Sequence, residues 1–234
     1  MILKTALKLV VFLTLLSANL AWAAPKQITL NYQATRNGKP FANIVETYQQ
    51  AGEAYKIESV GEGVGLAALL GKRILKSEGA VTNEGLQPKH FEQQQGDNEK
   101  KSFYADFDWQ VNQITFKSKN NLTTEPLLKG TQDLLSFSYQ WMFSPVLDDV
   151  TLAVTTGKKL RNYSYKVLER DVSLSVDAGQ FKTVHLVSAN PDGKANEKEF
   201  WLAGDRFYLP IKIIQRDDGG NVIEQTLTGM QIGE

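Results

Sequence analysis

The chain predicts an all-β protein, mainly antiparallel, built as a strongly curved or open-barrel meander sheet that encloses one or two short apolar helices. Three observations predict it. Apolar and polar side chains alternate from one end of the chain to the other, hairpin turn residues separate the alternating runs, and two segments alone break the period of two.

Ile28, Leu30, Tyr32 and Ala34 point one way while Thr29, Asn31, Gln33 and Thr35 point the other. Asn37-Gly38 follows, a hairpin signal because both residues tolerate left-handed backbone, and a second run returns from Phe41 to Tyr48. Phe103, Ala105, Phe107 and Trp109 alternate with polar neighbours, as do Tyr163, Tyr165 and Val167. Val172, Leu174 and Val176 lead into Asp177-Ala178-Gly179, and Val184 and Leu186 return. Asn190-Pro191-Asp192-Gly193 and Asp217-Asp218-Gly219-Gly220 are further turns. Strands joined by tight turns pair antiparallel, with one apolar face and one wet face.

The first exception is Gly61-Glu62-Gly63-Val64-Gly65-Leu66-Ala67-Ala68-Leu69-Leu70-Gly71. Its second half has the composition of a short apolar helix, and its glycines suggest hinges. Two readings stand: a lid whose Leu66, Leu69 and Leu70 touch a ligand, or a fixed plug whose leucines belong to the core. The second exception runs from Thr131 to Phe143. Thr131 can cap a helix there, with Asp133 in the first turn. Gln132, Ser136 and Gln140 make one narrow polar stripe, and residues such as Phe137 and Trp141 cover the rest. A helix apolar around most of its circumference must be buried, here against the concave face of the sheet.

Residues 1–23 have the pattern of a secretory signal peptide. Lys4 and Lys8 precede an apolar run from Leu9 to Leu16, and Ala21-Trp22-Ala23 supplies the small-x-small cleavage site. The run is shorter than the roughly 20 residues a bilayer requires. The mature chain is expected to begin at Ala24 and to form one all-β exported domain over 24–234, with no membrane insertion after the cut. There is no cysteine, so neither lipidation at the cut nor a disulfide is available. A bacterial periplasm is the expected compartment. Without Lys4 and Lys8 the chain carries 24 basic against 26 acidic residues, a balance that argues against nucleic acid. A monomer is expected.

Chemistry-bearing residues are few. Only His90 and His185 are present, far apart, and both read as hydrogen-bonded or solvated strand residues. No nucleophile elbow, metalloprotease motif or phosphate loop occurs. Asp148-Asp149 and Asp217-Asp218 are neighbours that would face opposite sides of a strand. No catalytic residue, cofactor or metal ligand is assigned. The candidate ligand-binding residues are Leu66, Leu69, Leu70, Phe137 and Trp141. Trp109, Trp141 and Trp201 suit either a core or a cavity wall.

Gln132-Asp133-Leu134-Leu135-Ser136 with Tyr139, and Tyr208-Leu209-Pro210-Ile211-Lys212-Ile213, resemble a bacterial exported-protein family known as domain of unknown function 3108. Its members carry an Asp-x-x-Ser helix in mid-chain, a glycine-bearing hairpin such as Asp177-Ala178-Gly179-Gln180-Phe181, and an aromatic strand such as Phe200-Trp201-Leu202. The resemblance implies an envelope location and an all-β fold, and it carries no catalytic residues. The architecture is also similar to the open barrel of periplasmic lipoprotein carriers. The leading expectation is a non-catalytic periplasmic protein that binds an apolar ligand, lipid or lipoprotein in the concave face. An envelope assembly protein and a hydrolase with carboxylates from separate strands are the alternatives.

Overall fold

In the computed structural model the described residues are 24–96, 98–119, 121–144, 147–189, 198–217 and 219–233. They form one continuous fifteen-stranded sheet and one short α-helix. The first eight strands are β1 (Gln27–Arg36), β2 (Lys39–Ala51), β3 (Ala54–Gly63), β4 (Arg73–Thr82), β5 (Gly85–Gln95), β6 (Phe103–Asp108), β7 (Gln113–Ser118) and β8 (Asn121–Pro126). Then follow β9 (Gln132–Asp133), helix α1 (Leu134–Gln140), β10 (Val150–Thr155), β11 (Leu160–Val176), β12 (Gly179–Ser188), β13 (Lys198–Ala203), β14 (Leu209–Arg216) and β15 (Val222–Gly233).

Each strand pairs with its chain neighbour, and β1 pairs with β15, so the order across the sheet runs from β8 to β1, then from β15 to β9. Every pairing is antiparallel except that of β9 with β10. The predicted meander is therefore present, with its seam in mid-chain.

That seam dictates the curvature. β8 lies at one edge and β9 at the other, yet only residues 127–131 join them. Fifteen flat strands would hold those edges on the order of 65 Å apart, and six Cα steps reach about 23 Å at most. The sheet must roll. It is not closed, but β9 and α1 come to rest on β5. The turn at the head of β5 offers backbone groups that β6 leaves unpaired. Gln132 Nε2 donates to Leu86 O (2.9 Å), Gln140 Oε1 accepts from Leu86 N (2.7 Å), and Gln140 Nε2 donates to Glu84 O (2.8 Å). The polar stripe seen in the sequence is thus the seam that fastens helix to strand.

The helix is shorter than predicted and its cap is different. Thr131 does not cap it, because its hydroxyl donates instead to Leu128 O (2.6 Å). Gln132 and Asp133 are drawn into the pairing with Val154 and Thr155, so the helix cannot start before Leu134. Asp133 is the cap: its Oδ1 accepts from the Leu135 and Ser136 amides, both at 2.9 Å. Ser136 Oγ returns the favour by accepting from Asp133 N (2.9 Å), completing a capping box. A 3-10 turn, Trp141–Phe143, continues the chain.

α1 then feeds two core clusters. Leu135, Tyr139 and Met142 pack with the inner faces of the N-terminal strands, among them Leu30, Tyr48 and Ile57. Phe137 and Trp141 pack with Tyr165, Leu186, Phe200 and Leu202 of the C-terminal strands. An apolar girdle serves here because the helix has sheet on both sides. The strand rows behave as the alternation predicts: Ile28, Leu30, Tyr32 and Ala34 are all buried. At the first hairpin, Asn37 (φ 51°) and Gly38 (φ 75°) both take left-handed backbone. The predicted signal peptide, the turn at 190–193, Pro145 and Asp218 lie outside the described residues.

Candidate ligand-binding cavity

Where the two core clusters part, the roll leaves a cavity of about 540 Å³ at one end of the sheet. That is the size range of small-molecule sites. Its apolar wall includes Ala34, Ile44, Leu134, Leu135, Phe200 and Ile213, drawn from both halves of the sheet and from α1. Its polar wall holds Glu46, Arg73, Lys158, Lys159, Arg161 and Lys198.

Strand geometry explains how charges reach an interior. On β2, Ala42 and Tyr48 are buried and Ile44 and Glu46 occupy the same inward row. Arg73 continues the row of Leu75 and Ser77 on β4, Lys198 that of Phe200 and Leu202 on β13, and Arg161 that of Tyr163 and Tyr165 on β11. Each of these three cations sits at the first or second residue of its strand. The rows run apolar through the core and turn charged where they meet the cavity.

Glu46 is held from two directions, by Ser59 Oγ donating to Oε1 (3.0 Å) and Tyr139 OH donating to Oε2 (3.4 Å). Its remaining surface faces the cavity, and protein surrounds it, so burial pushes its carboxyl above the usual range against the pull of those donors and of Arg73. Arg73 donates to Gln93 Oε1 (2.8 Å). Burial lowers its basicity, with Glu46 acting in the opposite sense. Burial first, and the charge of Arg73 second, pull the Lys198 ammonium down to about 8. By surface area Arg73 is exposed and Lys198 half-buried, and both line the open cavity.

The second buried carboxyl is not on this wall. Asp133, fully buried as the helix cap, also accepts from Ser77 Oγ (2.6 Å), which in turn contacts Tyr55 OH (3.0 Å). Burial raises its carboxyl to about 6 although every neighbour donates to it. Asp133 and Ser136 thus fix where α1 begins, and through Leu134, Leu135 and Ser138 they fix one side of the cavity. The model of a family described as a protein of unknown function, DUF3108, matches residues 27–228. The chain belongs to this family. No curated protein matches it. Among solved structures it is similar to the hypothetical protein CT021 from Chlamydia trachomatis at 11% identity, over 89% of this chain and 90% of that one, with a TM-score of 0.37.

In this DUF3108 chain the residues singled out in the sequence separate. Leu70 lines the cavity at its exposed margin, 52% accessible. Leu66 and Leu69 belong to the same 3-10 turn, Gly65–Leu70, but stand 87% and 85% exposed, and the turn buries nothing. The fixed-plug reading is therefore overturned. Phe137 and Trp141 are buried core residues beside the cavity, not on its wall. The glycines are not hinges either. A Cβ on Gly63 would lie 2.2 Å from Ala67 O, one on Gly71 would lie 2.9 Å from Gly96 Cα, and Gly65 has φ 59°. Gly63 and Gly71 are glycines because backbone crosses backbone there, and Gly65 because its backbone is left-handed. Gln95 Nε2 pins the end of the turn by donating to Leu70 O (2.9 Å) and Gly71 O (3.1 Å).

The histidines are structural. His185 Nε2 meets Glu199 Oε2 at 3.0 Å and its ring stacks on Trp201 at 4.0 Å. Burial opposes the Glu199 charge, but hydrogen bonds from Arg216 and His185 outweigh it and hold the carboxyl below its usual range. His90 Nδ1 lies 2.6 Å from Asp106 Oδ1 on the outer face. The inward-row charges on the cavity wall that sequence reasoning missed are Glu46, Arg73, Arg161 and Lys198. Their signal was available: a charge at an inward position of an otherwise apolar row.

Proposed function

We propose that the protein is a non-catalytic periplasmic binding protein that holds an apolar ligand, lipid or lipoprotein in the concave face of its sheet. The cavity of about 540 Å³ carries this reading, because the half-buried Ile44, Leu134 and Ile213 line it with apolar surface at the edge of the two core clusters. A well-packed core leaves few voids larger than a water molecule, so an apolar space of this size invites an occupant. The signal-peptide pattern of residues 1–23 supports the compartment. A hydrolase working through paired carboxylates finds less support: Glu46 is the one carboxyl on the wall among the described residues, and Asp133 is committed to the cap.

Native mass spectrometry of protein purified from the periplasm tests this reading. A co-purifying apolar species that leaves on delipidation is expected. Protein that carries nothing, and takes up no aliphatic probe after delipidation, would overturn it.

A further inference from the structure

The cavity wall bears five cationic side chains, Arg73, Lys158, Lys159, Arg161 and Lys198, against the single carboxyl of Glu46. Some cations elsewhere have partners, among them Lys72 with Glu62, Lys76 with Glu92, Lys129 with Glu84 and Lys212 with Glu224, and others, such as Lys56 and Lys89, stand exposed on the outer surface without one among the described residues. None of the five wall cations makes an ion pair among the described residues. Lys158 merely rests over the Phe103 ring, 4.0 Å from its centroid. Arg73 donates to a neutral amide, and Lys198 Nζ has no hydrogen-bond partner among the described residues.

Lys198 is half-buried and Arg73 lies close enough to oppose its charge, an arrangement that costs free energy without a counter-charge. Glu46 does not relieve them. It already accepts from Ser59 and Tyr139, and its burial favours the neutral form. Sequence alternation gave these strands ample choice of apolar residues at the same inward positions, as Leu75 and Phe200 show two residues further along. Like charges gathered on one cavity wall, with a single carboxyl among them, are what an anion site requires.

We propose that the occupant is an amphiphile with an anionic head, carboxylate or phosphate, seated between Arg73 and Lys198 with its apolar tail along Ile44, Leu134 and Ile213. Lys158 and Arg161 hold the same sign of potential at the margin and draw the head inward. This inference rests on the cavity being a binding site for apolar ligands, and it adds the charge of the head.

The test is calorimetric titration of delipidated protein with dodecyl phosphate, laurate, dodecanol and inorganic phosphate. Both anionic amphiphiles should bind at least about tenfold more tightly than dodecanol, the worth of one charge-assisted hydrogen bond. Lys198→Gln and Arg73→Gln should each erase most of that advantage and leave dodecanol affinity unchanged. Lys129→Gln, far from the cavity and paired to Glu84, should change nothing. If Arg73→Gln fails to fold, Lys198→Gln alone decides. Equal binding of dodecanol and dodecyl phosphate, unaltered by Lys198→Gln, would overturn the anionic head and leave the apolar site standing. Inorganic phosphate binding as tightly as dodecyl phosphate would overturn the tail. Binding of none of the four would overturn both readings.

Discussion

Two apolar segments interrupt the strands, and they end in opposite places. Residues 65–70 form a 3-10 turn with no side-chain cap and no buried residue. Residues 134–140 form an α-helix with a capping box and four buried residues, continued by buried Trp141 and Met142. Leucine content does not separate them, since the first is Gly-Leu-Ala-Ala-Leu-Leu. Polar content does. The buried segment brings its own hydrogen-bonding equipment in Gln132, Asp133, Ser136 and Gln140, which satisfies the helix start and reaches Leu86 and Ser77 on the sheet. The exposed one carries no polar side chain, so docking it would strand its backbone groups. Burial here is decided by who can satisfy the backbone, with apolar surface as the necessary second condition.

Phe137 offers the sharpest way to strain this contrast. It packs edge-on to Trp141 (5.0 Å between centroids) and Phe200 (5.6 Å), and against Tyr165 (5.3 Å). Phe137→Ala should cost about 3–5 kcal/mol in a denaturant titration, because the Tyr165 and Phe200 rings belong to strands and cannot collapse inward. A loss below about 1 kcal/mol would mean that the helix is not a core element.

Asp133→Ala separates the polar equipment from the apolar surface. It removes the acceptor for the Leu135 and Ser136 amides and leaves Ser77 Oγ, itself buried, with Tyr55 OH alone. A cap is worth about 1 kcal/mol, and a lost hydrogen bond to a charged group about 1.5–3. The expected loss is about 2–4 kcal/mol by thermal or chemical unfolding, with the sheet's far-ultraviolet dichroism retained. An effect within experimental error would show that apolar surface alone holds α1 in place.

Asp133 also makes the buried segment sensitive to pH. Burial, the leading influence, raises its carboxyl to about 6, against about 4 in the unfolded chain. Because the folded state holds the proton more tightly, this group's stabilising contribution is full below about pH 4 and is lost as pH rises through 6. Relative to an Asp133→Asn variant, the wild type should therefore lose on the order of 2–3 kcal/mol between pH 4 and pH 7. A wild-type advantage that stays flat, or that grows with pH, would show that the donors from Ser77 and Ser136 outweigh burial.

The strands were legible because a period of two needs only local sequence, and the rows of β1 and β6 follow it residue by residue. The sheet's roll was not, since it depends on β8 and β9 lying at opposite edges, which no local pattern records. Asp133 was placed in the first turn but not at the cap, because the pairing of Gln132 with Val154 moved the helix start. The cavity's charges were overlooked for a different reason. Arg73 begins β4 and Lys198 begins β13, and a charge at a strand end reads as an ordinary boundary until the cross-strand partners show which way it points. Glu46 had no such excuse: Ala42, Ile44 and Tyr48 flank it in one row of β2.

The smallest expected effect belongs to the exposed segment. Leu69→Ala removes a side chain that is 85% exposed, so stability should change by no more than about 0.5 kcal/mol. Gly63→Ala, in the same segment, is different in kind. Its new Cβ would meet the backbone oxygen of Ala67 at 2.2 Å, so the turn must lift away from the end of β3. Val64 N, which donates to Phe41 O (2.9 Å), would be pulled with it. Hydrogen exchange should show that amide losing protection in Gly63→Ala and keeping it in Leu69→Ala. The two variants together ask what holds the turn. If Leu69→Ala is the more damaging one, the leucines hold it after all, and exposed apolar surface at 65–70 is covered in solution. If Gly63→Ala alone loosens it, the turn is held by backbone crossings at Gly63 and Gly71, and its leucines are free to meet whatever enters beside Leu70.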